Sequence, residues 1–486
     1  MKLTQKHDNL FIFIEDPYLF QMMKKAFPRG MVAFVGQVWF QKIRLFFKAP
    51  AKRLFLLLYF MILKLKSRSL SKVDLMPIDT MLFSWLNPGS YKENGMFIDH
   101  YLGDLKSYLE SKGKTTARLI FSFFSRRQVN KIKKTKEKFV MPINYLSLWQ
   151  MIVSAVTIFH FKYEDFRWFD GRDVSCLLQR EIFQENEHSE FIKNIIFYQG
   201  LLKIFKKANN LRSVFHPFEG QPWEKMLLMA AKMTDPNIMV YGYQHSSFAP
   251  MDLNYYLGLN EMDINPLPDI VLTNSDFNRK RLIAGGFHSG RVVSIGTLRY
   301  SHLFEHKNKA IPDLANNCSI LVCLPYNYEI ASEMLSDVMP VLYKLKTLGM
   351  LSKVRVKPHP LVPFDFSSIK GGAIAEVVLG GLKEQLIDCD IMIYCNGTVG
   401  IEGLYEGKKL IKYLPELEFD LDPLALMENN FSIKICCRGE LNNILLDMIS
   451  KNNSCNHRCI NMFEPVDYNK IDKLVAEKEP GQCYSQ

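Results

Sequence analysis

Pro358-His359-Pro360 sets one imidazole between two residues of fixed φ, directly after the cation Lys357. Each proline lacks an amide donor and biases its predecessor toward extended backbone. A ring held in that way donates a hydrogen bond to an anionic oxygen with little loss of conformational freedom. Three further stretches carry matching chemistry. Gln244-His245-Ser246-Ser247 supplies another imidazole and two hydroxyls. Gly296-Thr297-Leu298-Arg299 supplies a cation. Asn396-Gly397-Thr398, running on to Gly400 and Glu402, supplies glycines for close backbone approach, a hydroxyl at a helix start and a carboxylate suited to a ribose diol. Cations, donors and a helix N-terminus together suit a phosphate with a sugar attached. Singly, each residue has an ordinary reading: a satisfied structural histidine, a surface arginine, a threonine cap, a glutamate placed for the helix dipole.

What joins the four is their position, each just after a strand. "IVLTNS" (270–275), "RVVSIG" (291–296), "SILVCLP" (319–325), "KVRVKP", "AEVVLG" (375–380), "IMIYC" (391–395), "KLIKYL" and "SIKICC" are runs rich in Val, Ile and Leu. Helical patterns alternate with them, among them "FNRKRLIAGGF", Glu329 to Leu348, "KEQLID", a helix from Thr398 and "ELNNILLDMIS". That alternation predicts a parallel sheet covered on both faces. Upstream, "NLFIFIED", "MVAFVG", "TARLIFSF" and "NIMVYGYQ" (237–244) read as strands, and "FIDHYLGDLKSYLESKG" and "EFIKNIIFYQGLLKIFKKAN" as helices. The chain is therefore expected to be α/β. It would have an N-terminal domain with helical insertions over 1–260, a C-terminal domain over 261–450 and a polar tail over 451–486. Two such domains leave a cleft, and ligands of open parallel sheets bind beyond the carboxyl ends of the strands.

A hydroxyl reacting at such a site would need a base. "FEGQPWEKML" (218–227) offers Glu219 on a loop before Gly220, and Glu224 in the first turn of a helix opened by Pro222. His245 is the rival base. Inversion and retention both stay open.

Composition bounds the rest. The 486 residues are 48% hydrophobic and 23% charged, so a full core is expected and disorder is not. The net charge of +11 is local: residues 17–73 hold twelve Lys and Arg and no Asp or Glu, which leaves the remainder near −1. The basic residues flank the apolar run "LFLLLYFMIL" (54–63), which is half the length a spanning helix needs. The segment is either a buried helix with solvated ends or an interfacial segment on an anionic membrane surface. No recognition helix, zinc-finger spacing or RNA-binding aromatic signature points to nucleic acid. The start of the chain lacks the cleavage pattern of a signal peptide, and the scattered cysteines fit reduced thiols. A cytoplasmic, peripherally attached protein is expected. Cys455, His457 and Cys459 lack the paired spacing of structural zinc sites, so no metal is expected.

"GYQHSS", "GTLRY", "KPHP" and "NGTVGIEGLYEGK" together resemble bacterial GT-B-type glycosyltransferases of surface polysaccharides, over roughly residues 80–450. The likeness is to surface-carbohydrate biosynthesis proteins. It extends more distantly to capsule Kdo transferases, bacterial sialyltransferases and the glycerophosphotransferases of teichoic acid synthesis. It implies two Rossmann-like domains facing each other across a cleft, and a metal-independent transferase without cofactor. His359 and Pro360 match the His-Pro motif for the nucleotide phosphate. Asn396, Gly397 and Thr398 match the Ser/Thr motif, with one hydroxyl where the family has two. His245 matches the histidine of a Gln-His-Gly-like motif in which Ser246 replaces the glycine. The implied partners are a nucleotide-sugar donor and a lipid-linked glycan acceptor, and the His-Pro motif tilts the donor toward a CMP-linked acidic sugar. The alternatives are a CDP-glycerol-type phosphotransferase, a UDP-GlcNAc 2-epimerase-type isomerase and a non-catalytic scaffold of a polysaccharide assembly complex.

Overall fold

The computed structural model describes residues 73–157 and 190–476, except 87–89, 93, 122–125, 136, 259, 305–316, 361, 363–368, 417–419, 427–432 and 451–460. Outside these it describes 11–14, 31–34, 38–67, 168–169 and 172–173, with backbone alone for 38–50 and some others. Among the described residues seventeen strands follow in chain order. β1 (Phe11–Ile14) pairs in parallel with β2 (Met31–Phe34), and β6 (Trp168–Phe169) pairs antiparallel with β7 (Arg172–Asp173).

The remaining strands form two parallel sheets. The seven-stranded sheet is built from β3 (Thr80–Ser84), β4 (Thr116–Ile120), β5 (Phe139–Val140), β8 (Ser213–Pro217), β9 (Met239–Gln244), β10 (Ile270–Thr273) and β11 (Val292–Ser294). Its order is β11-β10-β9-β8-β3-β4-β5. The six-stranded sheet contains β12 (Cys318–Cys323), β13 (Leu351–Lys357), β14 (Glu376–Val377), β15 (Ile391–Tyr394), β16 (Lys409–Tyr413) and β17 (Lys434–Cys436), in the order β14-β13-β12-β15-β16-β17. The chain is thus α/β with two parallel, helix-covered sheets, as the alternation of elements implied.

By contacts the chain divides into two compact units. One is Met1–His100, Lys106–His216 and Gln221–Val240; the other is Tyr101–Leu105, Pro217–Gly220 and Tyr241–Gln486. The division at Val240 lies upstream of the 260/261 boundary expected from the Pro- and Asn-rich stretch, and two short loops join the second unit. In the first unit, Phe83 of β3 stacks on Trp223 at 4.4 Å and Phe121 on Phe197 at 4.4 Å. In the second, Ile320, Val322, Val356, Ile391, Ile393 and Ile411 are fully buried on adjacent strands. Each such side chain contributes about 1.5–3 kcal/mol on leaving water.

Two expectations are corrected. "FIDHYLGDLKSYLESKG" is helical only over Leu105–Ser111. Gly103 has φ 53, and a Cβ there would lie 2.5 Å from the Leu298 carbonyl oxygen, so the chain turns before the helix begins. Residues 461–476, expected within a polar tail, are packed. Met462 and Phe463 are buried, and Tyr468–Ala476 is helical. Thr297 N donates to Glu464 O (2.8 Å), Glu464 N to Asn274 O (3.0 Å) and Asp467 N to Ile295 O (2.8 Å). This stretch therefore lies along the ends of β10 and β11.

Candidate functional site

All the residues of this site belong to the second unit. His245 follows β9 and is 3% exposed. Its Nε2 lies 3.2 Å from Glu219 Oε1, and Tyr101 meets its ring edge-on at 4.8 Å. Burial, and after it Arg299, holds the imidazole pKa well below the ordinary value, so the ring is neutral at pH 7. A neutral ring beside a carboxylate carries its proton on Nε2, which leaves Nδ1 as an acceptor. That Nδ1 is buried and has no hydrogen-bond partner among the described residues.

Glu219 sits on a loop held by its backbone. Phe218 N donates to Tyr243 O (2.7 Å), Tyr255 Oη to Phe218 O (3.1 Å), and Asn254 Nδ2 to Glu219 O. Its side chain stays 40% exposed. Burial still raises its pKa, against the pull of Arg299.

Arg299 ends the turn after β11. Its guanidinium carbon lies 5.5 Å from the Tyr101 ring centre and 5.1 Å from that of Tyr300, so two aromatic rings hold it. The turn requires glycine at 296, because a Cβ there would lie 2.0 Å from the Pro465 carbonyl oxygen. Tyr300 N donates to Thr297 Oγ1 (3.1 Å), and Tyr300 stacks on Phe463 at 4.5 Å. Tyr300 Oη donates to Thr398 Oγ1 at 3.0 Å.

That threonine opens the helix Thr398–Tyr405, with Gly397 as its N-cap at φ 91. Among the described residues nothing lies within 4 Å of where a Gly397 Cβ would stand, so there is open space beside this helix start, the end of a helix that favours an anion. Asn396 is partly buried beside it. Glu402, one turn further, has its carboxyl pushed up to about 7 by burial, while Arg299 and Lys357 pull the other way.

Lys357 ends β13 and donates from Nζ to Gly380 O at 2.6 Å. His359 follows in a turn closed by Val362 N and His359 O (3.0 Å), and Tyr326 meets its ring edge-on at 5.2 Å. Burial, then Lys357, lowers its pKa. Pro360 is exposed. Arg299 thus pulls down the pKa of both Glu219 and Glu402, and Lys357 pulls down those of Glu402 and His359.

Glu224, the third candidate base, lies in the first unit and serves the helix Pro222–Thr234. Its Oε1 accepts from Gln221 N at 3.1 Å, its side chain is buried, and Oε2 lies 4.0 Å from His216 Nδ1. Three site residues escaped the sequence reading: Tyr101, Tyr300 and Tyr326. Tyr300 had a legible signal, an aromatic ring directly after the cation. Tyr101 was hidden inside the over-extended helix. Among the described residues no group of three or more His, Cys, Asp or Glu is arranged for a metal ion. Cys455, His457 and Cys459 lie outside the described residues.

Comparison with known protein families gives no match, and neither does comparison with curated proteins. Solved structures do match. UDP-GlcNAc 2-epimerase from Methanocaldococcus jannaschii is 10% identical, with 82% of this chain and 100% of that one covered and a TM-score of 0.50. The Neisseria meningitidis UDP-GlcNAc 2-epimerase, bound to UDP-GlcNAc, is 11% identical, with 83% and 100% covered and a TM-score of 0.44. Anabaena HepE, in complex with UDP and glucose, is 10% identical, with 82% and 98% covered and a TM-score of 0.41. The similarity to the Methanocaldococcus enzyme is one of fold: two parallel-sheet, Rossmann-type halves of the GT-B-like kind.

Proposed function

We propose that this chain is a glycosyltransferase that moves a sugar from a nucleotide-sugar donor to a lipid-linked surface-glycan acceptor, with protein cations where other transferases use a metal. The observation that supports it best is the assembly, in one unit, of a half-exposed carboxylate–imidazole pair beside an aromatic-flanked arginine, an open helix N-terminus and a strand-end Lys-Pro-His. Arg299, Lys357, His359 and the amides at Gly397 and Thr398 hold the donor phosphates. Glu402 accepts from the ribose hydroxyls. Glu219 takes the proton of the acceptor hydroxyl as its oxygen bonds to the anomeric carbon and the bond to the nucleotide phosphate breaks. His245, neutral and donating from Nε2, fixes the Glu219 carboxylate and is a positioning residue.

The test is thermal unfolding with UDP, CMP, CDP and GDP. A nucleotide at 100 times its dissociation constant should add about 2.7 kcal/mol of stability. The His-Pro motif points to CMP, and the epimerase-like fold to UDP. A melting temperature unmoved by all four nucleotides overturns the reading. One second reading has an observation behind it: the 0.50 TM-score is to a nucleotide-sugar 2-epimerase. Epimerisation at C2 breaks a C–H bond without an acceptor. Deuterium entering UDP-GlcNAc in heavy water would favour that reading, and sugar appearing on a polyprenyl-linked acceptor would favour transfer.

A further inference from the structure

Over its described side chains, between 51 and 67, the helix Val38–Ser67 presents two apolar faces. One packs inward through Leu56, Phe60 and Leu63. Lys64 belongs to the same side: it is buried, and its Nζ donates to Ile143 O (3.3 Å) and Asn144 O (3.4 Å). The other face carries Leu54, Phe55, Leu58, Ile62 and Leu65, which are 58%, 66%, 50%, 49% and 52% exposed. At 3.6 residues per turn these five fall within about 100° of arc, roughly opposite the buried set. A surface helix ordinarily puts polar residues there. Among the described side chains from 51 to 67, the only exposed polar one is Lys66.

We propose that this outer face docks on an anionic bilayer, with the helix lying in the plane of the interface. Two observations select that occupant. The face is apolar where it meets solvent and is bordered by lysines. The 17–73 stretch around it has twelve basic residues and no carboxylate. An apolar stripe with cations beside it complements acyl chains below anionic headgroups. No helix among the described residues is long and apolar enough to cross a membrane, so the contact is superficial. Of the twelve cations, Lys64 is bound to protein carbonyls and contributes nothing to the headgroups. This docking does not depend on the proposed transfer reaction, since nucleotide binding tests the one and vesicle binding the other.

The experiment is co-sedimentation of the full chain with phosphatidylglycerol–phosphatidylcholine vesicles and with phosphatidylcholine vesicles. Parent protein should bind the anionic vesicles and release them as salt rises. The Leu58→Gln/Ile62→Gln pair should weaken that binding at least about tenfold, since each loses an inserted side chain, with the melting temperature unchanged. Lys52→Gln/Lys66→Gln should weaken it less, and only at low salt. The single variant Leu58→Trp, tolerable at an exposed apolar site, should show extra fluorescence quenching by brominated anionic lipid. Parent-like vesicle binding by the Gln pair, or no extra quenching of Leu58→Trp, overturns the proposal. A lowered melting temperature of the Gln pair without lipid means the chain covers this face itself, and overturns it. A lipid-free dimer that the Gln pair dissociates means the occupant is a second copy, and overturns it too.

Discussion

Two histidine–glutamate pairs draw their glutamates from one short stretch, 218–227, and they do different things. In the first unit, Glu224 lies 4.0 Å from His216, both side chains are buried, and one carboxylate oxygen closes a helix cap. In the second, Glu219 lies 3.2 Å from His245, and its carboxylate is 40% exposed. The residue types are the same, five positions apart in the carboxylates. What separates them is where the carboxylate's remaining lone pairs point. A carboxylate held by the first turn of a helix has no free face for a substrate. One held from behind by a neutral imidazole keeps a face for a reacting hydroxyl.

The sharpest way to break this contrast is Glu219→Gln. Turnover should fall about 10²–10⁴-fold, the range for loss of a general base, with nucleotide affinity unchanged. Glu402 tests the other side, because it also sits in an early helical turn yet carries a raised pKa. Burial pushes its folded carboxyl up to about 7 from the ordinary glutamate value of 4.5. Below about pH 4.5 both states are protonated. Between there and 7 the unfolded chain gives up the proton that the folded chain keeps, so stability falls as pH rises. Glu402→Gln should therefore melt later than the parent at pH 8, by about 3 kcal/mol at most, with no gain at pH 4. Weaker nucleotide binding in the same variant would mark a ribose contact, and unchanged calorimetric affinity would remove it. His359→Ala should cost about tenfold in nucleotide affinity, as one hydrogen bond to phosphate is lost, while the fold survives. Glu224→Gln should be the mildest: about 1 kcal/mol of stability from the weakened cap, and unaltered turnover in a steady-state assay. A loss of turnover from Glu224→Gln equal to that from Glu219→Gln would erase the distinction between the pairs.

Legibility in the sequence followed local pattern rather than burial. Every strand of the six-stranded sheet was readable, because each run is bounded by turn residues and four of the six are followed by an α-helix. β3 and β8 were not. "TMLFS" and "SVFHP" are central, buried along their whole length, and too short for either period to show. At the site, the strand-end residues Arg299, Lys357, His359 and Thr398 could be named because a sheet's carboxyl ends are predictable from its strands. Tyr101 could not, since its place depends on Gly103 meeting the Leu298 carbonyl from nearly two hundred positions away. The outer face of Val38–Ser67 shows the same limit. Apolar composition said that the helix would be buried or interfacial, but only the packing of Phe60 and Leu63 fixed which residues remain outside.

The stack of Tyr300 on Phe463 has a consequence for synthesis. Arg299 is held between two rings, and one of them rests on Phe463, 163 positions further along the chain. While the ribosome is still making 461–476, β10 and β11 can pair, but the turn at Gly296 lacks the Pro465 backbone it packs against. The cation is therefore seated only after that stretch has emerged. A chain cut before Phe463 would contain nearly every residue of the site and still lack the ring and backbone that seat Arg299.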